Sequence, residues 1–201
     1  MGNVANVSYG KPKIGGAIHR APVGTPLPTD ATSELNNAFK ELGYISDDGL
    51  TNENKIETEE VKAWGGDTVL TPQKGKTDKM KFKLIEVLNE EVLKTVYGEK
   101  NVQGNLSEGI SVDVRTEELE DSAWVIEMIM KGGVLKRIVV PKASISELSE
   151  IVYKDNEATG YEITLSAAPD KNGSTHKEYI IKSNEVSDEG TEANNEEQGV
   201  E

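Results

Sequence analysis

Between residues 68 and 182, hydrophobic and polar side chains alternate in short runs, the period of a strand with one buried face. The cleanest run is 79–85, where Met80, Phe82 and Leu84 fall on one side and Lys79, Lys81 and Lys83 on the other. Residues 110–114 alternate in the same way. So do Tyr161, Ile163 and Leu165 against Glu162, Thr164 and Ser166, ahead of a loop with Asn172-Gly173 and a returning strand, 179–181. Residues 122–130 are apolar on nearly both faces, which predicts a strand covered on both sides. The pair Gly132-Gly133 turns that strand into another at 134–140, which Pro141 ends. Short strands are expected at 44–46 and at 68–70, the latter ended by Pro72, and 145–153, whose spacing also fits a helix, is taken as strand.

Two stretches change to helical spacing. Leu35, Ala38, Phe39 and Leu42 stand at i, i+3, i+4 and i+7, with Asp30 or Thr32 able to cap the start and Gly43 following; this predicts a helix over 30–42 lying on a sheet. Val92, Leu93, Val96 and Tyr97 predict a second, short helix capped by Asn89, with Glu90 and Glu91 in its first turn and Gly98 closing it. Residues 1–29 carry Pro12, Pro22, Pro26 and Pro28 among glycines, which excludes a long helix. They read as an extended arm laid on a neighbouring subunit through Val4, Val7, Tyr9, Ile14, Ile18, Val23 and Leu27, with only 17–20 able to join a sheet. Residues 47–62 read as a projecting polar loop, and Trp64-Gly65-Gly66 as a core tryptophan beside a turn. The expected fold class is mainly β: a two-sheet β-sandwich or barrel with a flanking α-helix and a second short helix, a body over 30–183, and Phe39, Phe82 and Trp124 in its core.

Charge narrows the function. Of a net charge of -14, half sits in residues 184–201, where Glu185, Asp188, Glu189, Glu192, Glu196, Glu197 and Glu201 meet no lysine or arginine. That tail has too few apolar residues to offset ordering entropy and is expected to be disordered. The body stays acidic without it and repels phosphate, against the basic footprint of a nucleic-acid binder. The lysines of 74–83 form the most basic patch, but no aromatic is interleaved on their face for base stacking. With no cysteine, thiolate metal sites and cysteine nucleophiles are excluded. His19 and His176 lack metal-ligand spacing, no serine sits in a nucleophile elbow, and Gly15-Gly16 makes no phosphate-binding fingerprint. The carboxylates Glu57, Glu59 and Glu60 stand among Thr, Asn and Lys on a loop without the enclosure that acid–base or calcium chemistry requires. No enzyme, cofactor, metal site or membrane span is expected, and the chain is expected to be soluble.

Read as a whole, the chain resembles the major tail tube proteins of long-tailed, siphovirus-like bacteriophages. The residues that carry the likeness are 10–17 (Gly-Lys-Pro-Lys-Ile-Gly-Gly-Ala), 22–31 (Pro-Val-Gly-Thr-Pro-Leu-Pro-Thr-Asp-Ala), 42–49 (Leu-Gly-Tyr-Ile-Ser-Asp-Asp-Gly), 62–67 (Lys-Ala-Trp-Gly-Gly-Asp) and the strand-helix run from Phe82 to Gly98. The resemblance spans about residues 1–182 and implies a structural virion protein. Its six-fold rings, stacked into a tube, would conduct DNA into the host, and its architecture would be related to that of the type VI secretion tube. It implies partners: further copies of the chain, a tape measure protein, a tail terminator and distal tail or baseplate proteins, with DNA passing but not specifically bound. It places the protein in the virion tail, and in the host cytoplasm during assembly. On this resemblance the inter-ring loop is 47–62 with its rejoining residues, so Asp47, Asp48, Glu53, Glu57, Glu59, Glu60, Lys62 and Trp64 become the stacking candidates; Glu117, Glu118, Glu120 and Asp121 are candidates for an acidic lumen. A head-tail connector or an effector-carrying secretion-tube protein is the alternative. The resemblance would imply, as in many relatives, an immunoglobulin-like decoration at the C-terminus; the acidic run 184–201 departs from that pattern, so exterior adhesion to cells is not expected.

Overall fold

The computed structural model describes residues 2–13 and 16–182; the tail 184–201, expected to be disordered, lies outside the described residues. Among them the elements run β1 (Gly10–Pro12), β2 (Ile18–Pro22), β3 (Lys40–Glu41), β4 (Ile45–Thr58), β5 (Val61–Lys62), β6 (Thr68–Leu70), β7 (Gln73–Leu84), α1 (Glu90–Tyr97), β8 (Val102–Asn105), β9 (Gly109–Val112), β10 (Ser122–Met130), β11 (Val134–Leu148), β12 (Tyr161–Ala167) and β13 (Lys177–Lys182). The mainly β class is what the chain adopts. Nine strands join in one antiparallel sheet along the path β3-β2-β10-β11-β12-β7-β4, with β1 beside β10 and β13 beside β11. The pairs β5–β6 and β8–β9 are separate two-stranded ribbons.

Within this one large sheet the long strands change partners along their length. β10 pairs with β2 over residues 122–126 and with β1 over 128–130; β11 pairs with β13 over 134–139 and with β12 from 143 on. Pro141 does not end β11. It falls in the gap between these two partners, beside the irregularity where the register against β10 slips between Ser122 and Trp124, and a missing N–H costs no ladder bond there. The sheet also curls strongly. Trp124 of β10 and Phe82 of β7 stand three strands apart, about 14 Å in a flat sheet, yet their rings meet edge to face at 6.1 Å.

Two cores result. The inner face gathers Ile18, Leu42, Met80, Phe82, Leu84, Trp124, Ile126, Ile138, Val140, Ile163 and Leu165 with Val92, Leu93 and Val96 of α1. The outer face of β10 and β11 buries Ala123, Val125 and Val139 with Ala21 and Phe39. β10 is therefore covered on both sides, as its composition predicts. α1 also follows its pattern: the Asn89 side chain accepts from the Glu91 N–H at 3.0 Å, Lys94 pairs with Glu90 at 2.6 Å, and Gly98, at φ 96, ends the helix.

The helix expected over 30–42 does not form. Asp30 Oδ1 accepts from the Thr32 and Ser33 N–H groups at 2.7 and 2.6 Å, and those backbone donors hold its carboxyl down to about 2. Asn36 accepts from the Ala38 N–H at 3.0 Å, the Phe39 N–H closes a turn onto the Asn36 carbonyl at 2.9 Å, and Lys40–Glu41 then joins β2 as β3. Asp and Asn side chains that satisfy the backbone locally compete with helical hydrogen bonds. The apolar stripe still does its work without helical geometry: Leu35, Ala38 and Phe39 cover the outer face, and Leu42 enters the inner core.

β1 and β2 are part of the body rather than of an arm, since both pair with β10 of the same chain and Ile18 is fully buried. Where the outer-face cover crosses β10 and β11 lies a buried ion pair. The Arg137 guanidinium donates to Glu127 Oε1 from Nη2 at 2.6 Å and from Nε at 3.0 Å, and to the Asp30 carbonyl at 2.9 Å; Lys13 Nζ reaches Glu127 at 3.1 Å. Burial alone would push the Glu127 carboxyl up, but the hydrogen bonds from Arg137 and Lys13 outweigh it and hold it below the usual carboxylate range.

Candidate assembly surface

The segment expected as a loop at 47–62 is instead most of a β-ribbon. β4 and β7 pair continuously from Leu50↔Phe82 to Glu57↔Gly75, then through a bulge to Thr58↔Gln73, and the Glu59 N–H reaches the Pro72 carbonyl at 3.0 Å. β5 and β6 extend the ribbon with Val61 opposite Leu70. Every residue from 51 to 74 is exposed, so the ribbon is an arm projecting from the body, about 35 Å from Glu53 to its tip at strand rise. Alternating polar residues explain why it stands free: β4 presents Glu53, Lys55 and Glu57 on one side and Asn52, Asn54 and Ile56 on the other, leaving no face apolar enough to fold back. Lysines of β7 balance the acids, with Glu53 opposite Lys79 and Glu59 3.5 Å from Lys74.

The tip is different. The Ala63 N–H bonds the Asp67 carbonyl at 2.8 Å and the Gly66 N–H bonds the Ala63 carbonyl at 3.0 Å, closing a turn in which Gly65 and Gly66 take φ of 116 and 100 that a side chain would resist. That turn holds Trp64 outward at 106% relative exposure, so the reading of Trp64 as a core residue is overturned. The turn signal was right and the burial wrong, because a Trp-Gly-Gly turn serves a tip as well as a core. Val61, Val69 and Leu70 are exposed beside it. Lys62 lies 3.8 Å from Glu60. Asp47 and Asp48 sit at the opposite end, in the irregular stretch of β4 between Ile45 and Leu50 where Ser46 Oγ meets Asp48 at 3.3 Å.

A buried carboxylate anchors the arm at its root, a feature that sequence reading missed. Asp78 of β7 accepts from Asn52 of β4 at 2.8 Å and from Thr175 Oγ1 at 2.5 Å, and meets His176 Nδ1 at 2.5 Å, so one side chain ties both arm strands to the loop between β12 and β13. Burial pushes the Asp78 carboxyl up, but the hydrogen bonds from Thr175, His176 and Asn52 prevail and keep it below its ordinary value. Its folded value therefore lies below the unfolded one, and the stability it contributes is present above the unfolded value and lost as pH falls through the folded one. Asp78→Ala is expected to cost about 1–3 kcal/mol by stranding buried donors. Hydrogen exchange in 168–176 should accelerate in that variant; unchanged protection would remove the anchor.

Glu117, Glu118, Glu120 and Asp121 lie together on the loop before β10, at the rim of a cleft of ≈ 400 Å³ between that loop, β2 and the end of α1. Asp121 pairs with Lys142 at 2.8 Å, Glu120 with Lys100 at 3.9 Å, and Glu99 with Arg20 at 2.5 Å. The cleft floor includes Trp124 and Ile145. Of the named core residues, Phe82 and Trp124 are buried in the inner core and Phe39 in the outer one.

A curled antiparallel sheet carrying a free, apolar-tipped arm is a shape that gains partners by its surface. The family model described as phage tail tube protein matches residues 14–190. The chain belongs to this family. It is accordingly a structural protein of the virion tail, not an enzyme, and its role is to build the tail tube with other tail components. No curated protein matches the chain. The alternative of a head-tail connector or secretion-tube protein gains nothing from the match.

Proposed function

We propose that copies of this chain, made in the host cytoplasm, close into six-fold rings that stack into a tube for DNA ejection, and that the β4–β7 arm is the stacking element. The observation that carries this reading is the arm itself. An isolated two-stranded ribbon is marginal in water, and one that ends in exposed Val61, Trp64, Val69 and Leu70 is completed by burying that tip against another subunit. On this reading Glu53, Glu57, Glu59 and Glu60 line the arm's flanks, and Asp47 and Asp48 its root.

Ring closure has its own support. Where β10 and β11 change partners, a four-stranded section β1-β10-β11-β13 leaves β1 and β13 as open edges, and β13 exposes Ile180 and Ile181. Joining the β13 edge of one subunit to the β1 edge of the next is a heterologous contact, which closes into a ring when the rotation allows. Tape measure, terminator and distal tail or baseplate proteins would then meet the lumen and the ends of the tube, and passing DNA would meet no basic groove that holds it.

Tryptophan fluorescence tests the arm. Trp64 is open to solvent and Trp124 is 1% exposed, so acrylamide should quench one emitter of two in the free subunit. In tubes confirmed by negative-stain microscopy, that quenching should be largely lost. Tubes in which Trp64 stays fully quenchable would remove the arm tip from the contact; a strictly monomeric protein at every salt and concentration would remove the assembly.

A further inference from the structure

Two of the residues that line the cleft beside α1 each carry a buried polar atom that the fold leaves unanswered. The indole N–H of Trp124 and the side-chain carbonyl of Asn101 are both buried and without a partner among the described residues, and both residues line the cleft. The Asn101 amide is already oriented, because its Nδ2 donates to the Tyr97 carbonyl at 2.8 Å, so Oδ1 remains an acceptor in want of a donor. A buried donor and a buried acceptor left open each cost about 1–3 kcal/mol, a cost removed when something brings the complementary pair. The cleft also has an apolar floor, and on its rim Glu117 and Glu118 have no ion pair among the described residues, whereas Asp121, Glu120 and Glu99 are engaged.

We infer that this cleft receives the arm tip of a second copy of the chain, with Trp64 seated on the floor and Lys62 set against Glu117 and Glu118. The inference rests on the arm being the stacking element and adds the site that takes it. Three features fit. An indole and its flanking glycines fill a cleft of ≈ 400 Å³ that is open enough to admit them. Once the side chains that cover them shift aside, the Asn101 carbonyl can take the Trp64 indole N–H, and the Trp124 N–H the peptide carbonyls of Trp64 and Gly65, which close no hydrogen bond within the tip turn. The cations at the rim, Arg20, Lys100 and Lys142, are paired with Glu99, Glu120 and Asp121, so Lys62 supplies a positive charge for Glu117 and Glu118, and its exposed pairing with Glu60 at 3.8 Å is too weak to hold it back. Glu117 and Glu118 are thereby assigned to subunit contact.

The absence of cysteine makes a disulfide test clean. Full-length Ala63→Cys, carrying a mass tag, is mixed with Glu118→Cys, allowed to assemble and oxidised. A parallel mixture replaces Glu118→Cys with Lys171→Cys, on a second cleft beside Leu27 and Tyr179. A tagged heterodimer is expected with Glu118→Cys and not with Lys171→Cys. Tubes that form but give no heterodimer with Glu118→Cys overturn the cleft while leaving the arm as stacking element; a mixture that gives neither tubes nor heterodimer overturns both. Charge reversal is the second measure. Lys62→Glu should reduce tube yield several-fold, and adding Glu117→Lys and Glu118→Lys should restore it; a combined variant no better than Lys62→Glu overturns the rim contact.

Discussion

Replacing Arg137 with alanine is expected to lower the unfolding free energy by about 3–5 kcal/mol, because it removes one half of a buried pair and leaves the other charged half behind. Arg137 is 2% exposed and Glu127 is 5% exposed. The guanidinium also ties the Asp30 carbonyl and, at 3.3 Å, the Ser33 hydroxyl, so its loss frees the non-helical segment that covers the outer face. Urea unfolding should show the loss at pH 7. The pH dependence has a definite sign: Glu127 has a folded value below its unfolded one, so its contribution is complete above the ordinary carboxylate range and disappears as pH falls through the folded value. In the variant Glu127 keeps its burial and only Lys13 as partner, its carboxyl rises, and protonation relieves it. The gap between wild type and variant should therefore narrow in acid; a gap constant down to pH 3 would show that packing, not the ion pair, sets the cost. Arg137→Met with Glu127→Leu should recover much of the loss, since a buried pair exchanged for apolar groups of similar volume is often neutral.

How much of this was legible in the sequence depended on whether a local pattern had one physical outcome. Strict alternation in 79–84 admits only a half-buried strand, and Met80, Phe82 and Leu84 are buried with Lys81 exposed and 2.9 Å from Glu162. The Asn89 cap, apolar stripe and Gly98 likewise have one reading. The stripe 35–42 had two, because helix spacing constrains side chains only if the backbone is free to coil, and Asp30 and Asn36 had already claimed the backbone N–H groups. The arm was legible as a projection from its polarity, but its strand character was not: Asp47 to Lys62 has poor strand propensity, and its pairing partner, 73–82, lies beyond the turn. Trp64 misled because hydrophobicity fixes the wish for burial and not the molecule that provides it. The cleft was illegible altogether, since Asn101, Trp124 and Glu117 to Asp121 meet only through the curl of the sheet.

Excising residues 60–71 and joining Glu59 to Pro72 through Asn-Gly is expected to leave a folded subunit that no longer makes tubes. The hydrogen bond from the Glu59 N–H to the Pro72 carbonyl already sets these two residues side by side, so a two-residue turn can close the shortened ribbon in register. The removed residues are all exposed and belong to neither core, so the melting temperature should stay within a few degrees of wild type. Assembly should respond very differently. The excision deletes Val61, Trp64, Val69 and Leu70 together, and fully burying side chains of that kind is worth about 1.5–3 kcal/mol each. A tube multiplies this contact at every subunit, so its loss should raise the concentration needed for assembly beyond any reached in solution. Analytical ultracentrifugation would then find only subunits or single rings. Single rings would show that the sheet edges close without the arm, separating ring formation from stacking; full tubes from the excised protein would deny the arm any part in stacking.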